Sequence, residues 1–142
     1  MLSDIVGSLQ AQGFKRVLVV NGHGGNSAGR PAVDDRVLWH DWWAAPRTRA
    51  AIDAIDPAAS HASWMENFPW TRLPGVTLPD AHKPLTDIAP LRSEPAATVR
   101  EAIGDGVLGG FYARPDEEVL RVWAIGVAET RDALEHGWSG NR

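Results

Sequence analysis

The aliphatic run Val17-Leu18-Val19-Val20 stops abruptly at Asn21-Gly22-His23-Gly24-Gly25-Asn26, and this junction constrains the fold more than any other stretch of the chain. An uninterrupted β-branched run over residues 15–20 suits a strand of a parallel sheet covered on both faces. Three glycines after it let the backbone leave the strand sharply and approach a ligand closely. A histidine placed there projects beyond the strand's carboxyl end, where open α/β sheets bind ligands. A tight turn with an exposed imidazole is the plainer alternative, but a turn alone needs fewer glycines.

The flanking elements extend this pattern. Ser3 is placed to cap a first helix carrying Ile5, Val6 and Leu9 at helical spacing, with Gly13 as its stop. Residues 27–35 leave room for a short helix interrupted near Pro31, and a second strand is expected over 36–40. Helix, strand, loop, helix and strand in that order, with the strands joined by a short crossover, predict an α/β sheet. A helix over 46–54 and a capped turn of helix over 60–67 come next. Prolines at 69, 74, 79, 84, 90 and 95 then forbid helix, so 69–93 is expected to run as an extended arm. After a helix over 94–103 and a glycine-rich loop, residues 115–136 carry the clearest helical signature. Pro115 stands at its start, Asp116, Glu117 and Glu118 complement the dipole, and Gly137 closes it. Val119, Leu120, Trp123, Val127 and Leu134 make an apolar stripe expected to pack on the sheet.

Composition narrows the function classes. A chain of 142 residues suits one compact domain, and 14 Lys+Arg against 18 Asp+Glu argues against a general phosphate-binding surface, so no nucleic-acid partner is expected. With no cysteine, disulfides, thiol nucleophiles and thiolate metal sites are excluded, and any metal must sit on His, Asp, Glu or water. No apolar run approaches the roughly 20 residues of a membrane span, and the start lacks a secretory signal, so a cytoplasmic address is the default expectation, with no membrane partner. Five of the seven tryptophans lie between Trp39 and Trp70.

A second group of chemistry-bearing residues is Ser60-His61-Ala62-Ser63-Trp64-Met65-Glu66-Asn67. On one continuous helix His61 and Glu66 would point about 140° apart, so they need not share a role. One arrangement puts His61 in the entering loop, available for proton transfer, and Glu66 on the first helical turns facing a metal. A helix cap with an exposed His and Glu is the alternative. Gly104-Asp105-Gly106-Val107-Leu108-Gly109 spells Gly-x-Gly-x-x-Gly, but it follows an expected helix, which argues against dinucleotide binding. Asp34-Asp35 reads as a solvated pair. Strand alternation turns His40 and Asp41 to opposite faces, so one can approach a site while the other packs. His82 and His136 read as surface residues, and no Gly-x-Ser-x-Gly elbow supports a serine hydrolase.

The Asn-Gly-His-Gly-Gly-Asn loop after a strand, followed by His-x-x-x-x-Glu at 61–66, resembles the creatininase (creatinine amidohydrolase) family, in which His-Ala-Gly or His-Gly-Gly is usually followed by Glu-Thr. The likeness in ordering extends over most of the chain. It implies a three-layer α/β/α fold with a mostly parallel sheet, a homo-oligomer, and hydrolysis of amide or cyclic-amide C–N bonds in small substrates. It also implies a divalent-metal cofactor, Zn or Mn, with two ions in the complete family site. Carried over, His23 and Glu66 correspond to metal ligands and His61 to a substrate-side proton shuttle. Gly22, Gly24, Gly25 and Asn26 form the loop. Trp42, Trp43 and Trp64 correspond to aromatic walls around a flat substrate, although a core role stays open for each. In such a site two ions activate a bridging water and polarise the carbonyl while a histidine protonates the leaving nitrogen.

The chain departs from the family pattern in three places. Gly25 replaces an acidic residue found in some members, and Asn67 stands where threonine is common. A Glu, a His and an Asp that complete the family's metal centre lie on a segment with no counterpart here. The expectation is therefore a single creatininase-like domain over 1–142, truncated ahead of its first helix and inactive as an isolated chain. The alternative is a non-catalytic binding or assembly protein derived from that fold.

Overall fold

The computed structural model describes residues 1–30 and 36–138. They form two compact units, one comprising Met1–Arg49 and Ile125–Arg142, the other Ala50–Ala124. The Asp34-Asp35 pair lies outside the described residues.

In the first unit, helix α1 (Leu2–Ala11) leads into strand β1 (Val17–Asn21), which pairs in parallel with β2 (Val37–Asp41). Both strands fall within one residue of the sequence expectation at their starts or ends. The cap of α1 is Met1 rather than Ser3, and Gly13 takes the left-handed φ of +95° that ends the turn. The register runs from Val17 opposite Val37 to Asn21 opposite Asp41, so both strands end side by side. After β1 the chain makes a 3-10 turn over Gly24–Gly29; the short helix expected over 27–35, with its interruption near Pro31, lies largely outside the described residues.

Helix α2 (Pro46–Asp53) and the long helix α4 (Asp116–His136) match the expected segments closely. Because Pro46 has no N–H, the first donors at the start of α2 are the amides of Arg47 and Thr48. Both donate to the carboxylate of Glu129 on α4, at 2.9 and 2.8 Å, and the Thr48 hydroxyl donates to it as well at 2.8 Å. Thr48 is fully buried. Burial pushes the Glu129 carboxyl up, but these hydrogen bonds and the nearby Arg47 charge outweigh it and hold the group below its ordinary range.

This contact corrects the expected face of α4. The buried positions are Val119, Val122, Gly126 and Glu129, whereas Leu120, Trp123, Val127 and Leu134 are 40–53% exposed. The two sets lie roughly 100° apart around the helix. Small size and a capping carboxylate choose the inward face: a Cβ on Gly126 would lie 3.6 Å from both Thr48 and Trp42. At the helix end, Trp138 donates its indole N–H to the Leu134 carbonyl at 2.6 Å and receives the Arg16 guanidinium over its ring at 5.6 Å.

In the second unit the core is built on Ile52, Trp64, Met65, Phe68, Val107, Val119 and Val122. The segment expected as a turn of helix over 60–67 is a turn followed by 3-10 backbone at Trp64–Glu66. The proline-rich stretch is extended for most of its length. It includes a 3-10 turn at Pro69–Thr71 and a two-residue strand β3 (His82–Lys83), antiparallel to β4 (Gly110–Phe111). Helix α3 (Ala96–Ile103) precedes the Gly-x-Gly-x-x-Gly loop, which is closed on itself. Asp105 accepts from Lys83 at 2.7 Å, the Tyr112 hydroxyl at 2.6 Å and the Val107 amide. The Lys83 and Tyr112 bonds hold its carboxyl down at about 2, although the residue is exposed.

The architecture is thus mixed helix and strand with a small parallel sheet, two strands wide, and a separate antiparallel pair. The three-layer arrangement with one larger, mostly parallel sheet does not appear among the described residues. Nor is any helix among them long and apolar enough to cross a membrane.

Two substitutions test this packing. Gly126→Ala places its methyl at ordinary contact distance and removes a helix-interior glycine, so thermal unfolding should show a gain of about 0.5–1 kcal/mol. Gly137→Ala drives a methyl to 2.7 Å from Leu38 and into the Ala133 carbonyl, and should cost about 1–3 kcal/mol. Glu129 sets an acid limit. Since its folded pKa is depressed, its contribution is present above the ordinary glutamate range and is lost as pH falls through the lower folded value. Acid melts of Glu129→Gln should accordingly show a shallower loss of stability below about pH 4.5 than the parent.

Candidate functional site

In the first unit the parallel register brings Asn21 and Asp41 together at the strand ends. The Asn21 amide donates to Asp41 Oδ1 at 2.6 Å and to the His23 carbonyl at 3.0 Å. Its oxygen accepts from the His23 amide at 3.3 Å and from the Asn26 side chain at 3.1 Å. Asn21 is buried, so each of its polar atoms needs a partner, and the glycine loop supplies them. Trp39 adds a second donor to Asp41 Oδ1 at 2.9 Å. Alternation sends His40 the other way, onto the Thr130 hydroxyl at 3.0 Å.

Within the loop, the Gly25 amide donates to His23 Nδ1 at 3.1 Å. A Cβ at Gly25 would come within 2.9 Å of that nitrogen, which explains glycine there. Trp43 borders the loop, its indole 3.9 Å from where a Cβ on Gly24 would sit, and meets Trp42 edge to face at 6.4 Å. Trp42 also packs beside Gly126. Next to the end of β2 lies a cleft of about 380 Å³ whose walls include Trp39, His40, Asp41, Pro46, Glu129 and Ala133.

The second unit carries the other residues of interest. His61 and Glu66 are exposed, on either side of the buried stretch Ser63-Trp64-Met65. Ala62 between them has φ of +59°, a left-handed conformation costly for a residue with a Cβ, and such strain concentrates at functional sites. The His61 carbonyl accepts from the Leu108 amide at 3.1 Å, fixing this loop against the segment that leads into β4. Trp64 is fully buried, which corrects its reading as a substrate wall: its ring is a core side chain with no surface to offer. The sequence cluster of tryptophans divides between the units, Trp39, Trp42 and Trp43 in the first, Trp64 and Trp70 in the second.

Sequence reasoning missed Asp56. Its buried carboxylate accepts from the Ala58 amide at 3.0 Å, the Phe111 amide at 2.9 Å and His82 Nε2 at 3.0 Å. Burial pushes the Asp56 carboxyl up, but the His82 bond and the two amide bonds prevail and lower it. The arm histidine expected merely at the surface is thus tethered. An Asp-Pro turn is ordinary in sequence, and only the chain's return at β3 reveals the partner.

A family model described as creatininase, creatinine amidohydrolase, matches residues 1–68. That span takes in both the loop at 21–26 and the segment at 61–66. Over this stretch, a little under half of the chain, the sequence is similar to the creatininase family. The match stops before the proline-rich arm, so it covers less of the chain than the ordering of motifs implies. No curated protein and no solved structure matches the chain.

Metal dependence is general in this family, and the donor set here can be tested against it. Among the described residues no three His, Asp or Glu side chains gather closely enough to hold an ion. The His23 ring also accepts a backbone N–H at Nδ1, which places the proton of the neutral ring on Nε2. The described side chains therefore do not fit a closed zinc site, which takes three or four protein ligands.

Asn21 is the residue on which the loop depends. Asn21→Ala should cost about 1–3 kcal/mol, because Asp41 and Asn26 lose buried partners. Backbone amide exchange would show the loss concentrated at 22–26.

Proposed function

We propose that the chain is an amidohydrolase-type protein acting on amide or cyclic-amide C–N bonds of small molecules, as its likeness to the creatininase family over 1–68 supports. In this reading His61 carries the proton to the leaving nitrogen. In the first unit Trp43 borders the glycine loop with Trp42 against it as aromatic walls, and His23 is a ligand of a divalent cation, zinc or manganese; in the second unit Glu66 is a carboxylate ligand by the same resemblance. The observation that carries the reading is the family match over 1–68, which contains both histidine-bearing motifs. The strained Ala62 beside the exposed His61 supports it, since such strain persists where a side chain must be presented in one direction. A homo-oligomer is proposed on the same resemblance.

A second reading has its own support. The hydrogen bond from Gly25 to His23 and the want of three convergent ligands among the described residues favour a non-catalytic binding or assembly protein that retains the loop. The two readings separate in one experiment. The chain is dialysed against Zn²⁺ or Mn²⁺, its metal content is measured by elemental analysis, and amine release from small cyclic amides is followed. The hydrolase reading expects at least about one retained ion per chain, together with turnover that His61→Gln lowers by about 10²–10⁴-fold. Retention well under one ion with no turnover removes that reading and leaves the binding protein.

A further inference from the structure

In the second unit the pairing of Asp56 with His82 holds an imidazole in one orientation. The carboxylate is almost completely buried, 1% exposed, while the imidazole is 40% exposed. An ionised carboxylate can only accept, so the 3.0 Å contact requires the proton on Nε2. In the neutral ring the lone pair is then on Nδ1, which has no hydrogen-bond partner among the described residues. The ring is fixed in a second way by the Phe111 side chain, which meets it edge to face at 4.5 Å and is itself covered by the Arg114 guanidinium at 4.8 Å. Asp56 is anchored independently of the histidine by the Ala58 and Phe111 amides. A rigid, buried carboxylate that sets the tautomer of a half-exposed imidazole is the arrangement that makes a histidine a good base or nucleophile.

We propose that the Asp56–His82 pair is a reactive site separate from the family motifs, a carboxylate-held imidazole that takes acyl groups from small activated esters at Nδ1. The Nδ1 lone pair attacks the ester carbonyl carbon, and the bond from that carbon to the leaving oxygen breaks with its electron pair. Nε2 keeps its proton throughout, and Asp56 balances the positive charge on the acylated ring. Water then attacks the acyl carbon and the bond from that carbon to Nδ1 breaks, its electron pair returning to the nitrogen; the proton lost from water passes through solvent to the leaving oxygen released earlier, so that the carboxylic acid departs and the ring regains its starting form.

The test uses the whole chain with p-nitrophenyl acetate in the presence of a chelator, which silences any bound metal. His82→Gln keeps an amide N–H for Asp56, and so the tether, but removes the lone pair. It should lower the second-order rate by about tenfold. His136→Gln removes another exposed imidazole, whose nearest carboxylate is 3.6 Å away, and should leave the rate within about twofold of the parent. Two-bond ¹H–¹⁵N correlation spectra of the parent should show His82 as the Nε2–H tautomer. A His82→Gln rate equal to that of the parent, or an Nδ1–H tautomer at His82, overturns the proposal.

Discussion

Everything at the carboxyl end of the parallel pair depends on one buried amide. Asn21 is the last residue of β1, and its side chain spends both its donor and its acceptor on groups of the same loop and on Asp41 across the register. A buried primary amide left unpaired is expensive, and this one is satisfied only when the loop is coiled back over it. The glycines follow from that geometry: the chain must double back within a few residues, and at Gly25 there is no room for a side chain beside the histidine ring. The loop conformation is therefore a consequence of where β1 ends relative to β2, which the parallel register fixes.

The same logic, a buried polar group organising several chain segments, recurs in the second unit at Asp56. There a carboxylate joins the turn after α2, strand β4 and the arm at β3. Neither unit is held by a large apolar core alone. The strands are short, and the buried apolar set in each unit is modest, so directional bonds decide which loops lie where.

This explains what could be read in advance. Strands β1 and β2, helices α2, α3 and α4 and the parallel pairing were legible because aliphatic runs, prolines and end signals act locally. Alternation likewise separated His40 from Asp41 correctly. The inward face of α4 was not legible, because the largest apolar residues, Leu120, Trp123 and Val127, lose that position to a glycine and a glutamate whose partners lie about eighty residues earlier. Trp64 stayed open between wall and core for a related reason: a large aromatic beside a candidate catalytic motif reads equally as either, and only burial separates the two. The role of His82 depended on a pairing between β3 and β4 too short to leave a pattern in sequence.

The contact between Glu129 and the start of α2 also bears on how the chain matures. The amides of Arg47 and Thr48 have no acceptor for their protons until a residue 82 and 81 positions later has been made and brought back. Until then these amides are left to water, and the side-chain cap of α2 exists only once Glu129 has been brought against it. The cap of α2 is thus a contact between residues some eighty positions apart, and closing it carries the entropic cost of bringing those distant segments together.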